Sequence, residues 1–152
     1  MSPLQKRIAV ISHWGFKSLH GGNLRAYFLI KELIVRGHPV TVILADPEDE
    51  GHCRKIFNCQ TASVGVPMSR WQSVPKKMVQ YLVFGHKVKK ILENSDFDAV
   101  FGINLIQALP AVRQRKSESW VMYVDLWADF FEYDAPPSII NKIIVWLVRK
   151  AE

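Results

Sequence analysis

Cysteine is scarce in this sequence, with only Cys53 and Cys59 in 152 residues. Two thiols cannot build the disulfide framework of a small secreted domain, and a domain of this length buries about 70% of its unfolded surface without cross-links. Long apolar runs are also missing. The longest covers residues 143–148, far short of the ~20 residues of a membrane span. With no signal peptide at the N-terminus, we expect one cytoplasmic domain over residues 1–152.

Acidic residues are absent from residues 51–92. The segment holds eight basic residues, whereas the rest of the chain has twelve basic and fourteen acidic ones. It therefore supplies the whole net charge of +6. Such a patch attracts phosphates of sugar nucleotides or of an anionic membrane, or is a solvated helix face. The candidate patch residues are Lys76, Lys77, Lys87 and Lys90. Nucleic acid is disfavoured because aromatic residues do not interleave with these lysines.

Short apolar strands alternate with helices along the whole chain. We predict strands over residues 7–12, 39–45, 63–66, 98–103 and 120–126. We predict helices over residues 24–36, 75–93, 105–116 and 139–151. Asn23 is the predicted N-cap of the first helix and Gly37 its C′ residue. The second helix is predicted to bury Met78, Tyr81, Leu82, Val88 and Leu92. This alternation favours an α/β fold, a doubly wound, Rossmann-like parallel sheet in three αβα layers.

A glycine-rich loop joins the first strand to the first helix. Gly21 and Gly22 let backbone N–H groups approach a phosphate or a sugar hydroxyl at the helix N-terminus. A tight turn without ligand explains the pair equally well. The spacing is neither Gly-x-Gly-x-x-Gly nor Gly-x4-Gly-Lys-Ser/Thr, so the dinucleotide and P-loop fingerprints are absent. Cys-x5-Cys is not a usual zinc spacing. We therefore expect no cofactor and no metal.

Several segments together resemble the N-terminal half of glycosyltransferase family 4, whose members are retaining enzymes of the GT-B fold. They are the first strand with its glycine pair, RGHPVTV at residues 36–42, FDAV at 97–100, ALPA at 108–111 and DLWAD at 125–129. Residues 150–152 are similar to the start of the helix that leads to the family's second domain. The resemblance thus extends over nearly the whole chain.

The resemblance implies a Rossmann-like domain that binds mainly the acceptor, with the glycine loop near the phosphates and sugar of a nucleotide-sugar donor. The residues that it marks for donor or substrate binding are Gly21, Gly22, Asn23, His13, His20, Arg25 and Asn104. Asp125, at the predicted end of the fifth strand, is the catalytic candidate, since it could orient an acceptor hydroxyl or accept its proton. Many members carry a His after strand four or five, where this chain has Gly102, Asn104 and Asp125.

The family's second domain, which holds the nucleotide, does not follow within these 152 residues. We expect no sugar transfer without a C-terminal glycosyltransferase half. A cleft with this domain as its only wall would leave much of the donor exposed to water. The expected partners are a nucleotide-sugar donor, a glycan or lipid-linked acceptor, that second half and the inner face of an anionic membrane. Two alternatives stay open: a non-catalytic subunit that docks on a membrane or partner, and an unrelated nucleotide-binding Rossmann domain.

Overall fold

The computed structural model describes residues 5–17, 22–66, 74–103 and 117–122. The strands are β1 (Ile8–Ser12), β2 (Val40–Leu44), β3 (Gln60–Ser63), β4 (Ala99–Ile103) and β5 (Glu118–Met122). The helices are α1 (Gly22–Val35), α2 (Glu50–Phe57) and α3 (Val74–Glu93), with one 3-10 turn at Pro47–Asp49. The helices predicted over residues 105–116 and 139–151 lie outside the described residues.

The five strands form one parallel sheet in the order β3-β2-β1-β4-β5. Ile8 of β1 lies between Val40 of β2 and Ala99 of β4. The chain therefore moves outward from β1 in one direction as far as β3 and then crosses back to β4. This order confirms the predicted doubly wound, Rossmann-like sheet.

Hydrophobic side chains fill both faces of the sheet. On one face, Val10 and Val42 belong to a cluster that includes Ala26 and Ile30 of α1 and Phe57 of α2. On the other face α3 covers the sheet, with its buried residues Phe84, Val88 and Leu92 packed among Ala9, Ile11, Ile43 and Val100. β1 is buried at all five positions and is apolar at four of them, as is typical of a strand covered on both faces.

Gly37 ends α1 as predicted. Its φ is +82°, a left-handed conformation that side-chain-bearing residues rarely adopt. The Gly37 N–H donates to the carbonyl of Ile34 at 2.9 Å, and the His38 N–H donates to that of Leu33 at 3.1 Å. These two bonds are the pair of a Schellman motif.

Two details predicted for the helices are wrong. Asn23 does not cap α1 but lies in its first turn, where its amide is used in a bond to the preceding loop. Leu82 does not belong to the buried face of α3, since 71% of its surface is exposed, whereas Phe84 is fully buried. A helix turns 100° per residue, and Phe84 lies closer than Leu82 to the direction shared by Tyr81, Val88 and Leu92.

The region after β2 differs most from the prediction. Helix α2 was not predicted, and β3 begins three residues before the predicted strand at 63–66. Val64 and Val66 follow β3 and still donate backbone hydrogen bonds to Leu44 and Ala45, at 3.0 and 2.8 Å. Their side chains are buried, which explains why this stretch has the composition of a strand. β5 begins two residues before the predicted strand at 120–126, and residues 123–126 of that prediction lie outside the described residues.

Candidate functional site

The carboxyl ends of β1 and β4 form the point where the direction of strand order reverses. Helices α1 and α3, which follow and precede these strands, cover opposite faces of the sheet. A crevice at such a point is where doubly wound folds bind ligands. We call the carboxyl end of β1, residues 13–17 and the start of α1 the mouth of the sheet.

Three interactions fasten the loop that follows β1. The Ser12 hydroxyl donates to the Trp14 carbonyl at 2.9 Å, and the Asn23 amide donates to the Gly15 carbonyl at 2.9 Å. Lys17 Nζ lies 3.2 Å from a carboxylate oxygen of Asp49. A Cβ added to Gly15 would fall on that same carboxylate, so a larger residue here would force the Asp49 side chain to move. The described loop is therefore held to β1, α1 and the 3-10 turn.

His13 lies at the base of the mouth and is only 3% exposed. Its Nε2 shares a 3.3 Å hydrogen bond with the Tyr81 hydroxyl of α3, and its ring lies 4.3 Å from that of Trp14. Burial lowers the pKa of His13 from its ordinary 6.5 to about 3 and raises the pKa of Tyr81 to about 12. Both groups are therefore neutral near pH 7. The sequence marked Tyr81 only as a core residue, and its role here was not predicted.

The structure brings some of the residues marked for donor or substrate binding to the mouth. Gly22 begins α1, Asn23 and His13 are buried, and Arg25 is exposed in the first turn of α1. The marked residues that lie outside the described part of the chain are His20, Gly21, Asn104 and Asp125. Contact with a ligand stays a prediction for all of these residues.

The lysines of α3 occupy different surroundings. Lys76 and Lys90 are exposed, whereas the Lys87 ammonium donates to the Val64 carbonyl at 2.8 Å and so ties α3 to the segment after β3. Lys77 lies in α3, but its side chain is outside the described set.

The outward side of α3 is also partly apolar. Val79, Leu82 and Val83 are 59%, 71% and 42% exposed. Helical spacing places these three residues on the side of α3 that carries Lys76 and Lys90, away from Phe84 and Val88. We call these five residues the outer face of α3. It combines basic and apolar groups, and none of the helices in the described ranges is long and apolar enough to span a membrane.

A cavity of about 760 Å³ lies at the opposite edge of the sheet, at the amino ends of the strands. It is lined by Arg7, Pro39, Thr41, Arg54, Cys59, Gln60, Thr61, Ala62, Ile91, Ser95, Asp96 and Phe97. Within the described residues, no group of three or more His, Cys, Asp or Glu side chains is placed to hold a metal ion.

Comparison with solved structures finds glycosyltransferases among the proteins of similar fold. Sucrose-phosphate synthase from Thermosynechococcus elongatus aligns with a TM-score of 0.66 at 17% identity, over 97% of this chain and 40% of that one. The glycotransferase of kitacinnamycin aligns with a TM-score of 0.58 at 18% identity, over 78% of this chain and 30% of that one. This chain thus spans less than half the length of either protein.

The same fold also occurs outside glycosyltransferases. The C-terminal domain of a hydrogenase from Pyrococcus furiosus aligns with a TM-score of 0.55 at 19% identity, over 79% of this chain and 95% of that domain. The chain matches no protein-family model and no curated protein sequence. At these identities the similarity establishes the fold, that of a GT-B half-domain, and function must be argued from the site.

Proposed function

We propose that this domain is the acceptor-side half of a retaining GT-B glycosyltransferase related to family 4. It would move a sugar from a nucleotide-diphosphate donor to a glycan or a lipid-linked acceptor. The observation that carries the proposal is the mouth itself: a loop fastened by hydrogen bonds and a helix N-terminus at the reversal point of a sheet whose fold is shared with glycosyltransferases.

The chemistry of the mouth suits a phosphorylated sugar. The first N–H groups of α1, beginning at Gly22, have no partner within the helix and carry the positive end of its dipole. Gly22 adds no side chain to block an approaching phosphate. Because Ser12 and Asn23 already bond to the backbone of residues 14 and 15, a ligand need not order this described part of the loop on binding. Preorganised donors of this kind favour a charge that develops during transfer.

We assign the proton-handling step to Asp125, which would orient an acceptor hydroxyl or accept its proton. Gly21, Gly22 and Asn104 would contact the donor, together with His20 and Arg25. The buried, neutral His13 would then support the loop through Tyr81. The nucleotide itself would bind to a second Rossmann-like domain, carried on the same polypeptide or on another, which closes over the mouth and excludes water.

Reconstitution tests this proposal. The chain is combined with the C-terminal domain of a family 4 enzyme, either fused or as a separate chain, and release of nucleoside diphosphate is measured with common sugar nucleotides and a lipid-linked acceptor. Asp125→Asn should lower turnover about a hundredfold or more, the usual contribution of a positioned proton acceptor. Asp96→Asn is the matched control because Asp96 is exposed at the opposite edge of the sheet. An NMR assignment of the product anomer then checks retention.

Failure of every reconstituted pair to release nucleotide, while the intact family 4 enzyme works in the same assay, would contradict the proposal. Equal activity of the Asp125→Asn and Asp96→Asn variants would remove Asp125 from the mechanism but leave the domain assignment in place. Tight binding of a dinucleotide by the chain alone would favour an unrelated nucleotide-binding domain.

The outer face of α3 supports a second candidate function, docking on an anionic membrane. Its exposed Val79, Leu82 and Val83 can enter the headgroup layer while Lys76 and Lys90 meet lipid phosphates. Each lysine near such a surface contributes about 1 kcal/mol to binding. Reversing the charge of both lysines should therefore weaken membrane binding by roughly tenfold or more. This docking is compatible with catalysis on a lipid-linked acceptor and is also sufficient for a non-catalytic subunit.

Vesicle flotation measures this docking directly. The chain should float with vesicles containing phosphatidylglycerol and not with neutral phosphatidylcholine vesicles. The double variant Lys76→Glu, Lys90→Glu should lose flotation, whereas Lys55→Glu should retain it, since Lys55 is exposed on α2 across the sheet. If both variants float as the unaltered chain does, the outer face of α3 is not the docking surface.

A further inference from the structure

The two cysteines, which are separated by five residues in sequence, meet in the fold. Helix α2 ends at Phe57, and Asn58 adopts a left-handed conformation with φ 50° and ψ 45°. Its N–H donates to the Arg54 carbonyl at 2.8 Å. The chain turns back at this residue, so Cys59 packs against the hydrophobic cluster that contains Cys53.

The two thiols differ in environment and interact directly. Cys53 is 1% exposed, while Cys59 is half-buried, and both are free thiols. A hydrogen bond between them raises the pKa of Cys53, an effect that burial and the Asp49 carboxylate reinforce. The same bond lowers the pKa of Cys59, because the Cys53 thiol donates to the Cys59 thiolate. In reactive dithiol pairs, one sulfur is likewise the nucleophile and the other donates a hydrogen bond to it. Here Cys59 would be the nucleophile and Cys53 the donor.

Cys59 is also accessible from solvent. It lines the 760 Å³ cavity, whereas Cys53 does not. The Arg54 guanidinium lines the same cavity and is held in place by Glu50 at 2.6 Å and by the Thr61 hydroxyl at 2.6 Å. A small oxidant can therefore reach Cys59 through the cavity. The buried Cys53 would then be oxidised by reaction with the oxidised Cys59.

We propose that Cys59 and Cys53 form a redox site that reacts with hydrogen peroxide and closes an internal disulfide. The Cys59 thiolate attacks one peroxide oxygen, forming a sulfenic acid, and the other oxygen leaves as hydroxide. The Cys53 thiol then attacks the Cys59 sulfur, loses its proton, and displaces the hydroxyl as water. The two thiols lose two electrons in total, and the peroxide gains them. The proposal uses none of the residues assigned to sugar transfer, and the cavity through which Cys59 is reached lies at the opposite edge of the sheet from the mouth.

Intact-mass analysis of the full chain tests the proposal without any variant. After treatment with hydrogen peroxide and quenching with iodoacetamide, the protein should be lighter by two hydrogens and should carry no alkyl group. Because the chain has only two cysteines, an internal disulfide can join only this pair. Two alkylated thiols, a sulfinic acid on Cys59 with Cys53 still reduced, or a covalent dimer as the main product would each overturn the proposal.

Variants assign the two roles. In Cys53→Ser the oxidation should stop at a sulfenic acid on Cys59, which dimedone traps. In Cys59→Ser the remaining thiol should react at least tenfold more slowly, because Cys53 is buried. Alkylation of Cys59 near pH 7 should also be about three- to tenfold slower in Cys53→Ala, since loss of the donor raises the pKa of the thiolate. Equal reactivity of Cys53 and Cys59 would refute the division of roles.

Discussion

The buried histidine at the mouth makes the stability of this domain depend on pH in a calculable way. His13 is enclosed by the rings of Trp14 and Tyr81, and burial lowers its pKa from 6.5 to about 3. In the unfolded chain it binds a proton below pH 6.5, whereas in the folded chain it stays neutral until about pH 3. Between these values the unfolded state holds more protons, so acidification favours unfolding. The contribution of neutral His13 to the free energy of unfolding is complete above pH 6.5 and is lost as the pH falls from 6.5 towards 3.

The size of the effect follows from the two pKa values. At pH 5 the unfolded histidine is mostly protonated and the folded one is not, which corresponds to about 2 kcal/mol relative to pH 7.5. That is a substantial part of the 5–15 kcal/mol by which a domain is usually stable. We therefore expect His13→Gln to be less sensitive to acid than the unaltered chain. Glutamine places a neutral amide near the position of Nε2, so the bond to Tyr81 can persist.

Urea unfolding, followed by circular dichroism at pH 7.5 and pH 5, checks this expectation. All other ionisable groups are common to both proteins, so the informative quantity is the difference between the two losses of stability. The unaltered chain should lose about 2 kcal/mol more than His13→Gln. Equal losses, or an NMR titration of His13 with a midpoint near 6.5, would refute the assignment of a buried neutral histidine.

Three further predictions concern stability and are measured by urea unfolding. Gly15→Ala should cost about 1–3 kcal/mol because its Cβ meets a carboxylate, whereas Gly51→Ala, with open space around it in α2, should be neutral or gain up to about 1 kcal/mol. Gly37→Ala should cost about 1–2 kcal/mol at its φ of +82°. Phe84→Ala should cost about 3–5 kcal/mol and Leu82→Ala less than about 0.5, and the reverse order would contradict the placement of the α3 core face.

The central part of the fold was predictable because local sequence and tertiary environment agree there. β1 is buried on both faces and is apolar at four of its five positions, so its pattern admits few alternatives. Gly37 lies just after α1, at the position where the end of this helix requires a left-handed residue. The strand–helix alternation then limits the topology to a doubly wound sheet.

The edge of the sheet was harder to predict for a physical reason. β3 has the sequence QTAS and no fully buried residue, because an edge strand has a neighbour on only one side. The apolar residues Val64 and Val66 that follow it resemble a strand more closely than β3 does. Helix α2 is only eight residues long, and just Cys53 and Phe57 are buried. Short elements of this kind depend on the rest of the fold, so local sequence indicates them weakly.

The site contacts that the sequence missed are mostly distant in sequence. Tyr81 lies 68 residues from His13, and periodicity marks it as a core residue without revealing which polar group its hydroxyl meets. Asp49 limits the space at Gly15 from the turn after β2. The Cys-x5-Cys spacing did not reveal that the αL residue Asn58 turns the second thiol back to the first.

The positions of the helix ends favour the mouth over the 760 Å³ cavity as the proposed site for a phosphorylated donor. In a parallel sheet the helix N-termini gather at the carboxyl edge and the C-termini at the amino edge. The cavity therefore lies near the negative ends of the helix dipoles and includes the carboxylate of Asp96. Its two arginines already face carboxylates, Arg54 with Glu50 and Arg7 with Asp98. The phosphates of a donor would compete there with existing ion pairs, whereas at the mouth they would meet the N–H groups of α1.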